Sequence, residues 1–232
     1  MILRAIPALV AGALLLAGSG VAQAGALSVS PVLLEMSAKR PTRTLEISNP
    51  SDQPVNVQLR VFAWAGGGTE EHYAPTQDIG FSPPMFELAP GARQVVRLAA
   101  RVTPTREMAY RLFVDQIQTA PPEGGISMPV RMALPLFLSP DGGGKTAVAW
   151  RIEHDPEGAL LVARNAGDRR LRVTELGLES AAGSQSVERG LAGYVLAGQE
   201  RAWRLKNINN SSRIVVTAVT DQGNIRAEIG PD

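Results

Sequence analysis

The stretch Ile126-Ser127-Met128-Pro129-Val130-Arg131-Met132-Ala133-Leu134 carries a large apolar side chain at every even position. Alternate side chains of a strand share one face, so Ile126, Met128, Val130, Met132 and Leu134 form a single apolar stripe. Such a stripe can bind but cannot react. It reads either as the inner face of an ordinary half-buried strand or as a surface offered to a partner. Pro129 has no N–H to give a central ladder, which places the run at a sheet edge or breaks it there. The two methionines suit a surface that adapts to varied partners.

Groups that make or break bonds are scarce. The chain has no cysteine, which excludes disulfides, a thiolate nucleophile and zinc-finger ligands. Its two histidines, His72 and His154, sit in the charged stretches Glu70-Glu71-His72 and Glu153-His154-Asp155, which read as solvated loops. Neither has the spacing of a metal site. No G-x-S-x-G elbow occurs. Gly142-Gly143-Gly144-Lys145-Thr146 lacks the first glycine and the strand–helix setting of a phosphate loop. No enzymatic activity, metal or cofactor is therefore expected. A net charge of +1, without a basic stripe interleaved with aromatics, argues against a nucleic-acid binder.

The elements that must position the stripe are strands. Residues 1–24 read as a secretory signal peptide: Arg4 near the start, an apolar run from Ile6 to Leu16, and Ala22-Gln23-Ala24 as the cleavage site. No later stretch is long and apolar enough to cross a bilayer, so export without membrane insertion is expected. Short β-type runs then recur: 27–34, 44–48, 55–62, 94–98, 110–117 and 126–138. Turn chemistry separates them, as at Asn49-Pro50-Ser51-Asp52 and Gly66-Gly67-Gly68. Ser139-Pro140-Asp141-Gly142-Gly143-Gly144 reads as a hinge. Runs resume at 147–153, 160–163, 171–178, 201–205 and 213–220. No long helical period follows the signal peptide. This pattern predicts an all-β protein of two sandwiches, each about a hundred residues. Arg164-Asn165-Ala166-Gly167-Asp168 echoes Ile47-Ser48-Asn49-Pro50-Ser51-Asp52, a strand followed by Asn and a turn.

An ordered series of motifs resembles the PapD-like periplasmic pilus chaperones, nearest to the archaic branch that serves spore-coat-U-type subunits. The series comprises Ser30-Pro31-Val32, Ile47-Ser48-Asn49-Pro50, Val57 to Trp64, Ser82-Pro83-Pro84, Ala89-Pro90-Gly91, Tyr110-Arg111-Leu112, Ile117 with Pro121-Pro122, and Leu134-Pro135-Leu136-Phe137. In the second half, Arg164-Asn165-Ala166-Gly167 and Gly193-Tyr194-Val195-Leu196-Ala197-Gly198 continue it. The resemblance implies two immunoglobulin-like sandwiches in a boomerang: an N-terminal chaperone domain over 25–141 and a C-terminal domain over 142–232. It implies a periplasmic protein that stabilises pilus or fimbrial subunits by donor-strand complementation and delivers them to an outer-membrane usher. The lending strand carries over as Ile126, Met128, Val130, Met132 and Leu134.

Many members of that family hold the subunit's terminal carboxylate with an Arg in the first strand and a Lys near the end of the lending strand. Alignment puts Leu33 and Pro135 at those positions, and neither can bind a carboxylate. Arg111 is the replacement candidate, with Arg131 and Arg106 next. The alternative for Arg111 is a surface ion pair with Asp115. A competing function for the whole chain is a secreted structural subunit or adhesin built from immunoglobulin-like domains.

Overall fold

The segment Val55-Asn56-Val57-Gln58-Leu59-Arg60-Val61 alternates apolar and polar side chains, and its burial alternates in step, with the valines and Leu59 inward. That period-two burial recurs along most of the chain and makes it all-β. The structure is a computed structural model that describes residues 27–117, 129–181, 183–206 and 214–229.

Among these residues the strands are, first, β1 (Ser28–Ser30), β2 (Leu34–Ser37), β3 (Thr42–Ser48), β4 (Val55–Gly67), β5 (Glu70–Pro75), β6 (Ile79–Ser82), β7 (Met85–Leu88), β8 (Arg93–Ala100), β9 (Met108–Ile117) and β10 (Arg131–Ser139). Then follow β11 (Val148–Asp155), β12 (Gly158–Asn165), β13 (Leu171–Ser180), β14 (Gly183–Glu188), β15 (Gly193–Val195), β16 (Glu200–Leu205), β17 (Ile214–Thr220) and β18 (Gly223–Ile229).

The first ten strands make two sheets, ordered β1-β3-β8-β6 and β2-β10-β9-β4-β5, with β7 also paired to β4. They enclose one core, to which Leu45, Ile47, Val96 and Leu98 contribute from one sheet and Val57, Leu59, Leu112 and Leu136 from the other. The last eight make sheets β11-β12-β16 and β14-β13-β17-β18, with β15 on β13, around a second core that includes Leu161, Val173, Trp203 and Val216. These are the two immunoglobulin-like sandwiches of the sequence reading.

The echo between the halves is a shared turn device. Asn49 is buried, and its amide donates to the carbonyls of Gln53 and Leu88 while its Oδ1 accepts from the Ser51 N–H. Asn165 is buried in the same way, donating to Arg169 and Val195 carbonyls and accepting from the Gly167 N–H. Each asparagine satisfies turn backbone that would otherwise be buried without partners.

Three local expectations are corrected. The run 27–34 is not one strand. Pro31, which has no N–H for a ladder, ends β1, and the chain crosses to the other sheet before β2 begins at Leu34. His72 and His154 are exposed but lie on strands, β5 and β11, rather than in loops. Finally, β4 runs to Gly67, past its last pair with β9 at Ala63, and with β5 forms a hairpin that overhangs the sheet. The tip docks on the second sandwich, where the Gly68 carbonyl accepts from the Ala202 N–H at 2.8 Å.

Candidate functional site

Strand β10 has two unlike halves. Along its whole length it pairs antiparallel with β9, Arg131 opposite Asp115 through Leu138 opposite Met108. The Gln116 N–H donating to the Val130 carbonyl at 2.9 Å extends that pairing by one residue. On its other side β10 meets β2, in parallel, only from Leu136 to Ser139. From Arg131 to Pro135 no strand covers that side among the described residues. The proline and the arginine are residues that guard an open edge against unspecific pairing.

The apolar stripe follows the same division. Leu138 and Leu136 are fully buried, and Leu134 is 6% exposed within the first core. Met132 packs against that core but is only half-buried, as is Val130. Leu134 is therefore a member of the chain's own core, because it faces Leu112 across the ladder where both sheets still close over it. Pattern alone could not separate it from the rest of the stripe. Ile126 and Met128 lie outside the described residues.

The open half is braced from β9. Asp115 accepts from Arg131 Nε at 2.5 Å and from Arg60 Nη2 at 2.6 Å. Burial alone would raise the Asp115 pKa, but the hydrogen bonds from the two arginines outweigh it and hold the carboxyl below the usual carboxylate range. Beside this brace, the outer face of the sheet carries Phe62 and Tyr73, each edge-on to Phe113 at 5.6 and 5.5 Å between centroids.

Arg111 sits on β9 directly opposite Pro135, yet its side chain runs the other way, over β4. The guanidinium carbon lies 3.7 Å from the Trp64 ring centroid. Nη2 donates to both oxygens of Glu71 on β5, each at 2.9 Å. The Glu71 carboxylate is shared with Arg201 of β16 at 3.5 Å and accepts from the Tyr73 hydroxyl. Burial, and then the hydrogen bond to Glu71, raises the Tyr73 pKa. The alternative ion pair of Arg111 with Asp115 does not form; Arg111 pairs with Glu71 instead. Asp115 is taken by Arg60 and Arg131, and Arg111 by a glutamate forty residues away in sequence. Arg131 is on the open half, and Arg106 lies against Gly198 of the second sandwich. Leu33 packs on the cluster of Trp64, Phe137, Tyr194 and Leu196, and Pro135 is half-buried; neither brings charge to the region.

That aromatic cluster joins the two halves, with Trp64 5.6 Å from Tyr194 and Phe137 5.3 Å from it. Behind it, Arg170 forms a buried ion pair with Glu107 at 2.5 Å, their side chains 5% and 3% exposed. Its guanidinium stacks on Phe137 at 3.7 Å and also donates to Glu35. Glu71, Arg201, Glu107 and Arg170 are residues that sequence reasoning missed. Each meets its partner only across strands or sandwiches, so no local spacing marks it.

The comparisons with known proteins follow this geometry. The model for "Pili and flagellar-assembly chaperone, PapD N-terminal domain" matches residues 26–144. No curated protein sequence matches. Among solved structures, the chain is similar to the CsuC–CsuE chaperone–tip adhesion subunit pre-assembly complex from archaic chaperone-usher Csu pili of Acinetobacter baumannii. That match has 22% identity and a TM-score of 0.72, and it covers 88% of this chain and 98% of the other. It is similar to the Salmonella enterica SafA pilin in complex with the SafB chaperone, at 19% identity and TM-score 0.60 over 88% and 96% of the two chains. It is also similar to the E. coli chaperone DraB, at 19% identity and TM-score 0.59 over 88% and 98%. At these identities the structural likeness establishes the fold. The family match spans more than half of the 232 residues and sets aside the reading as a structural subunit, so this chain belongs to the PapD-type family of pilus-assembly chaperones.

Proposed function

We propose that this chain captures pilus or fimbrial subunits on the open half of β10, lending Ile126, Met128, Val130 and Met132 to an incomplete subunit sandwich and delivering the subunit to an outer-membrane usher. The observation that carries this reading is the one-sided pairing of Arg131 to Pro135 beside a half-buried Val130 and Met132. An added strand would satisfy the free main-chain groups and bury those side chains, each contributing roughly 1.5–3 kcal/mol when fully covered. Leu134 roots the strand in the chaperone's own core. The named neighbours from Csu and Saf systems, each a chaperone with a bound subunit, support the same partner class.

The place of work on this reading is the periplasm, reached after removal of residues 1–24. The domain boundary falls after Asp141, where Gly142 and Gly143 hold positive φ and no side chain opposes the turn. The action is binding alone, without a catalytic step, nucleic acid or cofactor. Arg111 is the proposed anchor for the subunit's terminal carboxylate.

The test is co-expression with a pilus or fimbrial subunit. Wild type should co-purify with it. Val130→Asp should stay folded and lose the complex, since an unpaired carboxylate in an apolar groove costs more than the roughly 2–7 kcal/mol of an unpaired neutral polar group. Capture by Val130→Asp at the wild-type level would remove β10 from the mechanism.

A further inference from the structure

Each residue of β10 turns its N–H and carbonyl to one side of the strand, and the side alternates along the chain. The Val130 carbonyl accepts from the Gln116 N–H on the β9 side, and the Ser139 carbonyl accepts from the Ala38 N–H on the β2 side. Even-numbered residues therefore face β9. Odd-numbered ones face the side that no strand covers from Arg131 to Pro135 among the described residues. Arg131 and Ala133 each offer that side an N–H and a carbonyl. Pro135 offers a carbonyl alone. The same odd residues carry their side chains on the outer face of the sheet, where three unlike groups follow one another: a charged Arg131, a small exposed Ala133 and a rigid Pro135.

Across the ladder from Ala133 stands Phe113. Its ring is held edge-on by Phe62 and Tyr73, both on the far side of β9 from β10. On the β10 side the Arg131 guanidinium carbon lies 5.7 Å from its centroid, and Asp115 fixes that guanidinium in turn. Ala133 is thus the floor of a recess, with Phe113 behind it, Arg131 at one end and Pro135 at the other. The fourth side is the unpaired edge. The apolar inner stripe cannot set the register of an added strand, because a slip of two residues presents the same face again. The outer face and the row of main-chain donors change at every such slip.

We propose that Ala133, Phe113 and Pro135 fix the register of the captured strand. The partner residue paired with Ala133 seats a large apolar side chain in the recess against Phe113, and pairing stops at Pro135, where a partner carbonyl finds no donor. This rests on the subunit-capture reading and adds to it the chemistry of the captured segment: an extended strand with one large apolar residue on its outward face. The partner backbone runs two strand spacings, about 10 Å, from that of β9. Phe113 fills that span from one end, Ala133 leaves the middle empty, and only a large side chain closes the rest. An aromatic ring fits best, since it meets the Phe113 ring as Phe62 and Tyr73 do.

The probe is a short peptide with Val on its inward face, Thr on its outward face, blocked ends and a nitroxide at one end. It is added to the isotope-labelled full chain, and the Arg131 and Ala133 amides are followed by NMR. Replacing one Thr by Phe should tighten binding about tenfold. Moving that Phe by two residues should slide the whole peptide by two residues, and the paramagnetic broadening of the two amides should change accordingly. In Ala133→Phe, which fills the recess at an exposed position, the gain should vanish and the broadening should no longer follow the Phe. For the Phe-free peptide, Pro135→Ala restores a donor and should add a second register. Equal binding with and without Phe, broadening that ignores its position, or an unaltered gain in Ala133→Phe would overturn this proposal and leave strand lending standing. No pairing of any peptide along 131–135 would overturn both. Shifts of the same amides with chain concentration alone would assign the edge to a second copy of this chain and likewise overturn the proposal.

Discussion

The two halves of β10 have the same alternation of residues and unlike surroundings. From Leu136 onward, β2 closes one side, β9 the other, and the Glu107–Arg170 pair sits behind Phe137. From Arg131 to Pro135 there is β9 alone, and the ion pair is the half-exposed Arg131–Asp115. The apolar period is continuous across the change. What differs is the point at which β2 begins, and that is set by the crossing at Pro31, a hundred residues earlier in the chain. An apolar face therefore becomes core or binding edge according to which strands reach it, not according to its own sequence.

The comparison can be broken most forcefully at the root. Glu107→Ala leaves Arg170 buried at 5% exposure with only the distal Glu35 to pair. Loss of one partner of a buried ion pair costs about 3–5 kcal/mol. It should appear as a lower urea midpoint, and an unchanged midpoint would show that the root is not held by this pair.

A smaller contrast lies within the stripe itself. Leu136→Ala, at a fully buried position, should cost about 2–5 kcal/mol. Met132→Ala should cost about 1 kcal/mol, because it is only partly buried against the core. Equal losses in chemical denaturation would mean that the tip is ordinary core and that no edge is on offer.

How much of this was legible follows from the range of each interaction. The strands and the pair of sandwiches could be read because alternation and turn residues act locally. Asn49 and Asn165 showed as an echo because each works within its own turn. The crossing at Pro31 was readable in principle, since a proline inside a predicted strand argues against it. The partner of Arg111 was not. Asp115 is four residues away in sequence, but a step of four along a strand spans about 13 Å, whereas Glu71 is brought close by the overhang of the β4–β5 hairpin. Leu134 and Met132 fit one pattern, and only the point where the sheets diverge makes one core and the other half-buried.

The gentlest probe of the comparison is pH, acting on the brace at the tip. Asp115 is buried, which by itself would raise its pKa, but Arg131 and Arg60 donate to it and the net shift is downward. A carboxyl with a lowered folded pKa contributes stability that is fully present above its unfolded value of about 3.9. That contribution fades as pH falls through the lower, folded value. Both arginines are substantially exposed, at 39% and 61%, so solvent screens the pair and the contribution is roughly 0.2–1 kcal/mol per ion pair. Asp115→Asn should therefore be slightly less stable than wild type near neutral pH, and the gap should narrow below about pH 4. A gap for Asp115→Asn that widened on acidification would show that the brace at the tip is not electrostatic.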